Sequence, residues 1–120
     1  MKLLVIILNY RVTDLTIDCL KTVVPELPRV PGIKVAVCEN GTGGDAEERI
    51  REAIVTNGLE PWVELTAISP NRGFTGGNNV VIRKALASQN PPDTKATEGP
   101  RMSQCRKGLE SIMQKWQEQD

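Results

Sequence analysis

Histidine is absent from this sequence, aromatic residues are scarce, and neither sign of charge is in excess. Without histidine, the usual Ser–His and Cys–His nucleophile pairs are excluded. Aromatic residues make up only 3% of the chain, so the 39% of hydrophobic residues predict a largely aliphatic core. The formal net charge is zero, whereas nucleic-acid-binding domains usually carry a basic excess. The composition therefore predicts no nucleic-acid partner.

Cysteines and long apolar runs are also few. Cys19, Cys38 and Cys105 are an odd number without a C-x-x-C pair, which predicts neither a disulfide framework nor a zinc site. Cys19 and Cys38 fall in apolar segments and are interpreted as small core residues of a cytoplasmic protein. No apolar run reaches the roughly 18 residues that cross a bilayer, so no transmembrane segment is predicted.

The apolar start of the chain resembles a signal peptide, but its apolar part is short and no small-residue cleavage site follows. The continuous aliphatic run Leu3 to Leu8 instead predicts a strand buried on both faces, as in parallel sheets. A second strand is predicted over Lys34 to Glu39 and a third over Trp62 to Ile68.

Three helices are predicted between and after these strands, the first with Thr13 or Asp14 as N-cap. Their apolar faces repeat at helical spacing: Val12, Leu15, Cys19, Leu20 and Val23; Ala46, Ile50, Ala53 and Ile54; Val81, Ile82, Ala85 and Leu86. The order β-α-β-α-β-α predicts a Rossmann-like parallel sheet with right-handed crossovers in a domain of residues 1–88. Ligands of such sheets bind beyond the carboxyl ends of the strands, where Asn9-Tyr10, Glu39-Asn40 and residues 71–77 are expected.

The stretch Ser69 to Asn79 is rich in glycine and contains Arg72. Glycines allow unusual backbone angles and close approach, arginine adds a fixed charge, and the following helix offers unpaired N–H groups. Together they predict a cradle for an anion such as a diphosphate. The spacing matches neither the P-loop nor G-x-G-x-x-G. The alternative is a tight strand-to-helix connection with Asn78 as N-cap, and the residues themselves leave both interpretations open.

Residues 71–79, with the sequence NRGFTGGNN, resemble the signature N-x-G-F-[AGST]-G-G-N-N of family 2 glycosyltransferases of the GT-A fold. The rhamnosyltransferase-like branch is the most similar. The resemblance extends roughly from Lys2 to Leu86 and includes Asn9-Tyr10 and the second strand with Asn40-Gly41. It implies the N-terminal, nucleotide-binding half of an enzyme that transfers a sugar from a nucleotide-sugar, UDP- or dTDP-linked, to a polysaccharide or cell-surface acceptor.

The resemblance also implies a set of nucleotide-binding residues. Glu39 matches a family aspartate that bonds the base or ribose; the alternative is a solvated carboxylate at the strand end. Tyr10 would pack on the base, or else cover the sheet edge, and Asn78 and Asn79 are alternatively only helix caps. The implied nucleotide-binding residues are Asn9, Tyr10, Glu39, Asn40, Asn71, Arg72, Gly73, Gly76 and Gly77.

A complete family enzyme continues into a strand ending in a D-x-D pair that holds Mn²⁺ or Mg²⁺, and later supplies a general base. Residues 89–120 show no such pair and no further apolar strand, and Asp93 is a weak candidate ligand. No catalytic or metal-binding residue is therefore assigned. We expect the chain to be incomplete and inactive alone, located in the cytoplasm or peripheral to the inner membrane. The alternative is a non-catalytic nucleotide-binding or protein-interaction module.

After the breaker at 89–94, residues 94–104 predict a loop or disorder. Helical spacing of Leu109, Ile112, Met113 and Trp116 indicates a short amphipathic helix that docks on the domain or on a partner; the alternative is a frayed segment packed weakly on the core. The first strand consequently lacks a neighbour on one side. Because an open apolar edge favours pairing, we expect the tail to cover it or two chains to pair as a homodimer.

Overall fold

The computed structural model describes residues 3–25, 27–98 and 114. Strands and helices alternate along the chain, which confirms the predicted α/β class. The elements are β1 (Leu3–Asn9), α1 (Thr13–Val23), a 3₁₀ turn (Leu27–Arg29), β2 (Ile33–Asn40), α2 (Ala46–Thr56), β3 (Val63–Ile68), α3 (Gly73–Leu86) and β4 (Thr94–Glu98).

The four strands form one parallel sheet in the order β3-β2-β1-β4. In its register, Leu3 lies beside Ile33 on β2 and Thr94 on β4, and Val35 of β2 lies beside Val63 of β3. β1 is therefore central, and all seven of its residues are buried. The interpretation of the apolar start as a buried strand is confirmed.

Helices cover both faces of the sheet, because alternate residues of a strand point to opposite faces. On one face, Leu3, Val5 and Ile7 of β1 belong to a core cluster with residues of α1 and α2. On the other face, Leu4, Ile6 and Leu8 pack with Val81 and Ala85 of α3. Nearly all of these side chains are aliphatic, as the composition predicted.

The placement of the helices follows from the direction in which the chain crosses the sheet. Steps from β1 to β2 and from β2 to β3 run the same way, so right-handed crossovers place α1 and α2 on one face. The return to β4, on the far side of β1, places α3 on the other face. The direction reverses between β1 and β4, and ligands of such sheets bind at the carboxyl edge near this point.

β4 is a strand that the sequence analysis assigned to a loop. Residues 94–98, with the sequence TKATE, contain no apolar run and pair in parallel with Leu3 to Ile7. Their backbone satisfies the hydrogen-bonding groups at the edge of β1, which a polar sequence can do as well as an apolar one. The tail thus covers the β1 edge, which confirms the first of the two alternatives, covering by the tail or pairing of two chains. The predicted C-terminal helix lies outside the described residues.

In the first turn of α1, the residues that face the core are not the predicted ones. Thr13 and Thr16 are buried with the apolar residues of later turns, whereas Leu15 is exposed. Val12, not Thr13 or Asp14, occupies the N-cap position, and it provides no side-chain hydrogen bond. The inward face of α1 therefore begins with two hydroxyl groups.

α3 begins at Gly73, well before the first residue of its predicted apolar face, Val81, and Asn78 lies inside the helix rather than at its N-cap. Leu86, predicted on the apolar face, is 52% exposed. α2 agrees with the prediction: Ala46, Ile50, Ala53 and Ile54 are its buried residues.

The prediction that Cys19 and Cys38 are core residues is confirmed, but the absence of a disulfide is not. Cys19 and Cys38 are both buried in the core. Cys38 is a free thiol, but Cys19 is disulfide-bonded, which the odd number of cysteines did not predict. Within the described part of the chain, no helix has the length and apolar character to cross a membrane.

Candidate functional site

Three loops follow β1, β2 and β3 at the carboxyl edge of the sheet, and we call residues 10–12, 41–45 and 69–72 the rim. Behind it, the last residues of β1 and β2 are polar yet buried: Asn9, Glu39 and Asn40 are 0%, 3% and 1% exposed. Asn9 and Glu39 are neighbours in the β1–β2 register, so the parallel sheet brings them together. Burial of polar groups is costly unless they are hydrogen-bonded, and each of these is.

The Asn9 side chain is the centre of a buried network. Its Nδ2 donates to Glu39 Oε1 at 3.2 Å and to Thr13 Oγ1 at 3.3 Å, while Thr16 Oγ1 donates to its Oδ1 at 2.7 Å. Thr13 and Thr16 lie on the inward face of α1. The network thus fixes the start of α1, the end of β1 and the carboxylate of β2 relative to one another.

Glu39 is not the solvated strand-end carboxylate of the alternative interpretation. The backbone N–H of Thr42 lies 3.1 Å from both of its carboxylate oxygens, and Asn9 donates to Oε1. A carboxylate has about four acceptor positions, of which these contacts use about three. Oε2 retains capacity for a further donor.

Asn40 connects β2 to the glycine-rich stretch. Its Nδ2 donates to the carbonyl of Gly73, and its Oδ1 accepts from the N–H of Arg72, both at 3.0 Å. A Cβ on Gly77 would lie 2.8 Å from Leu8 Cδ1 and 2.9 Å from Asn40 Nδ2. Gly77 therefore allows α3 to approach the sheet closely.

The start of α3 is held by its own asparagines. Gly73 takes a φ of +73°, and its N–H donates to Asn71 Oδ1 at 2.7 Å. Asn78 Nδ2 donates to the carbonyl of Phe74 at 2.9 Å. Gly76 lies in the helix, where a Cβ would be 2.8 Å from Arg72 Cβ. The glycines of the motif thus serve the helix start and its packing, which supports the strand-to-helix alternative.

Two cavities lie along the rim, one on each side of the loop after β2. The first, of about 240 Å³, lies between the loops after β2 and β3. Its lining residues are Glu39, Gly41, Gly43, Gly44, Glu47, Ala67, Ile68 and Ser69. The second, of about 490 Å³, lies between the loops after β1 and β2 and shares Gly43 with the first. Arg72 lines neither of these two cavities.

Glycines give the loop after β2 its path between the cavities. Gly41, Gly43 and Gly44 all have positive φ, a region that most other residues avoid. At Gly41, a Cβ would meet the backbone nitrogen of Asn71 at 2.4 Å, so this position also requires the absence of a side chain. Gly41 thereby lets the loops after β2 and β3 contact each other.

Next to Glu39, burial and the nearby Glu39 charge raise the pKa of the Cys38 thiol to about 11. The thiol lies 3.7 Å from the carbonyl oxygen of Gly77, to which it donates. Cys38 is thus a protonated core group at neutral pH and offers no nucleophile to the site.

The nine predicted site residues fall into two groups. Asn9, Glu39, Asn40 and Gly77 are buried supports behind the rim, and of these only Glu39 lines one of the two cavities. Tyr10, Asn71 and Arg72 are exposed at the rim, Gly73 is exposed at the start of α3, and Gly76 is partly buried in α3. Tyr10 is 38% exposed, with the guanidinium of Arg11 5.0 Å from the centre of its ring.

The residues that sequence reasoning missed are Thr13, Thr16, Thr42 and Arg11. The spacing of Thr13 and Thr16 from Leu20 and Val23 could have placed both threonines on the inner face of α1. No sequence signal distinguishes Thr42 or Arg11, because their roles depend on two loops meeting across the β1–β2 edge.

A divalent metal is implied for the complete family enzyme. Among the described residues, however, no three His, Cys, Asp or Glu side chains lie close enough together to hold one. Asp93 precedes β4 and so lies at the amino edge of the parallel sheet, away from the rim.

Comparisons of the chain with models of protein families, with curated proteins and with solved structures found no match. The functional argument therefore depends on the geometry of the rim and on the motif.

Proposed function

We propose that this chain is a glycosyltransferase-like protein whose rim binds the nucleotide of a nucleotide-sugar donor, UDP- or dTDP-linked. The observation that supports this most is the buried Glu39 carboxylate at the wall of the 240 Å³ cavity. Its position at the carboxyl end of β2 is the one where parallel sheets bind ligands. The resemblance of residues 71–79 to the glycosyltransferase signature gives the ligand class.

Glu39 is suited to accept one hydrogen bond from a ligand. Asn9 and Thr42 fix the carboxylate, so little conformational entropy is lost when a donor binds to the remaining position on Oε2. Ribose hydroxyls and the imide N–H of uracil or thymine are such donors. The glycine backbone of the loop after β2 lets a flat ring approach without side-chain collision.

The size of the cavity limits which part of the donor it holds. Pockets that enclose a whole drug-sized ligand measure roughly 300–1,000 Å³. A cavity of about 240 Å³ therefore suits the base or the ribose, with the phosphates and sugar outside it. Arg72, to which the motif assigns the phosphates, is exposed on the next loop and does not line this cavity.

The proposal also concerns the protein partners of this chain and its location in the cell. β4 occupies the outer edge of β1, so pairing of two chains at that edge is not proposed. A partner for the C-terminal helix stays a prediction, because that segment lies outside the described residues. The cytoplasmic location also stays a prediction, with Cys38 a free thiol and Cys19 disulfide-bonded.

The test is a calorimetric titration of the full chain with UDP, dTDP and GDP, with Glu39→Gln and Glu39→Asp variants. Glu39→Gln removes the charge at nearly constant size, and we expect UDP affinity to fall about tenfold, because hydrogen bonds to charged groups contribute about 1.5–3 kcal/mol. Glu39→Asp restores the residue type that the resemblance implies, and we expect it to bind UDP. Glu64→Gln, an exposed change on β3, is the control.

Thermal unfolding of each variant shows whether a loss of binding reflects loss of fold. If the folded wild-type chain binds no nucleotide, the proposed function is wrong. If it binds UDP and Glu39→Gln binds equally well, the site lies elsewhere on the molecule.

Binding alone does not separate a transferase from a binding module. The two are distinguished by incubating the chain with UDP- and dTDP-sugars, with and without Mn²⁺ or Mg²⁺, and detecting released UDP or dTDP. The sugar is then accepted by an added polysaccharide in transfer or by water in hydrolysis. Release above the level given by Glu39→Gln supports an active transferase. Saturable binding without release supports the non-catalytic nucleotide-binding module.

A further inference from the structure

The larger rim cavity, of about 490 Å³, lies beside the one lined by Glu39. It is bounded by the loop after β1, the loop after β2 and the first turns of α1 and α2. Gly43 lines both cavities, so a ligand that extends from Glu39 across this glycine enters the larger space. The larger cavity is thus placed to receive the part of a nucleotide that the smaller one does not hold.

Two arginines and two aspartates line this cavity: Arg11, Asp14, Asp45 and Arg49. Arg49 forms an ion pair with Asp14, and both line the cavity. Arg11 also lines it and is exposed, but no carboxylate among the described residues lies within ion-pair distance of its guanidinium. Arg11 therefore presents to the cavity a guanidinium without a direct ion pair among the described residues, and Asp45, on the α2 side of the same cavity, likewise has none.

The backbone of Arg11 is held in an uncommon conformation. Its φ is +58°, in the left-handed region, which costs a non-glycine residue of order 1 kcal/mol or more. The N–H of Arg11 donates to Thr42 Oγ1 at 2.9 Å, and the N–H of Thr42 donates to Glu39. Thr42 thus connects the Arg11 loop directly to the carboxylate in the other cavity.

The Arg11 side chain is oriented as well. Its guanidinium carbon lies 5.0 Å from the centre of the Tyr10 ring, within the range of a cation–π contact. Such a contact leaves the N–H groups at the edge of the guanidinium available, and these form paired hydrogen bonds with phosphate oxygens. The Tyr10 ring thus contacts the side chain of Arg11 and Thr42 holds its backbone, while Arg11 lines the cavity.

We propose that Arg11 binds the phosphates of the nucleotide whose base or ribose contacts Glu39, and so distinguishes a nucleoside diphosphate from a nucleoside. This inference rests on the proposed function, because it requires a nucleotide at Glu39. It assigns phosphate recognition to the loop after β1, whereas the sequence motif placed it at Arg72 and the glycines after β3.

The test compares UDP with uridine in calorimetric titrations of the wild-type chain and of Arg11→Asn. Asparagine tolerates positive φ better than most residues, so this variant keeps the backbone while removing the charge. We expect its affinity for UDP to fall about tenfold, the loss of one charge-assisted contact, and its affinity for uridine to change less than about twofold. Arg83→Asn removes the same charge from the exposed face of α3 and should leave both affinities unchanged.

Salt dependence gives a second readout that a change in fold would not mimic. Binding of UDP to the wild-type chain should weaken as NaCl rises from 50 to 300 mM, and Arg11→Asn should reduce this dependence. If the wild-type chain binds UDP and Arg11→Asn binds it with wild-type affinity, this inference is wrong and the proposed function stands. If the wild-type chain binds neither UDP and uridine nor dTDP and thymidine, the proposed function itself fails.

Discussion

Asn9 lies next to the proposed ligand site and affects it by holding the side chain of Glu39. The resemblance implied that it contacts the nucleotide, whereas its amide is buried and fully engaged with Glu39, Thr13 and Thr16. An amide suits this position because it donates to the carboxylate and accepts from a hydroxyl at once. Asn9 is therefore a positioning residue for Glu39.

The change Asn9→Asp tests this role at constant size. Replacing the donor Nδ2 by oxygen sets a second carboxylate against Glu39 Oε1, across the present 3.2 Å. Because like charges repel strongly when buried, we expect the free energy of unfolding at pH 7 to fall by about 3 kcal/mol.

Acid should relieve part of this loss. Repulsion raises the pKa of the carboxyl pair in the folded state above its unfolded value, so the folded variant takes up a proton first as pH falls. The stability deficit relative to wild type should therefore shrink between pH 7 and pH 4.5 in urea unfolding. Asn71→Asp is the matched control: it keeps the acceptor for Gly73 N–H near a helix N-terminus and should change stability little. A pH-independent deficit in Asn9→Asp would contradict this account.

At the scale of elements, the helices and strands predicted correctly are those in which the apolar residues of the sequence are the ones buried in the structure. β1 is a continuous aliphatic run buried on both faces, and α2 carries one unbroken apolar face. The buried face of α1 was predicted wrongly at its first turn, because the residues that face the core there are threonines, which hydrogen-bond to Asn9. The start of α3 was misplaced because glycines, usually signs of a turn, here allow a helix to approach Asn40 and Leu8.

β4 could not be predicted from its own residues, because its strand structure comes from the edge of β1. The change Ala96→Pro tests this dependence: Ala96 lies beside Val5 in the middle of β4, where the fixed φ and the ring of proline disfavour an extended strand paired with β1. We expect a loss of about 1–3 kcal/mol in unfolding free energy and faster aggregation, since the apolar β1 edge would be uncovered.

The control for this change is Ala96→Val, a residue that favours strands. It should retain wild-type stability within about 1 kcal/mol, because it leaves the backbone hydrogen bonds in place. Amide hydrogen exchange of residues 3–7 gives the local readout, with faster exchange expected only in Ala96→Pro. Equal exchange in the two variants would mean that β4 does not protect β1.

At the scale of the whole molecule, the alternation of strands and helices was enough to place the site on one edge. Parallel strands end at the same edge, so Asn9, Glu39 and Asn71 had to be near one another once the order was known. The division of the rim into two cavities could not be predicted, since it depends on three positive-φ glycines and on contacts between loops. The sequence also emphasised the loop after β3, whereas the cavities centre on the loop after β2.

The last prediction uses the difference between the two edges of the sheet. If the rim binds a nucleotide, saturating UDP should slow amide exchange in residues 10–13, 40–45 and 69–73, which follow the strands. Residues 31–33 and 57–62 precede strands at the opposite edge and should exchange at the unliganded rate. Protection confined to the first two segments would favour the pair of cavities at Glu39 and Arg11, whereas protection of 69–73 as well would include Arg72. Exchange slowed only at the amino edge would contradict the proposed site, because no strand of a parallel sheet ends there.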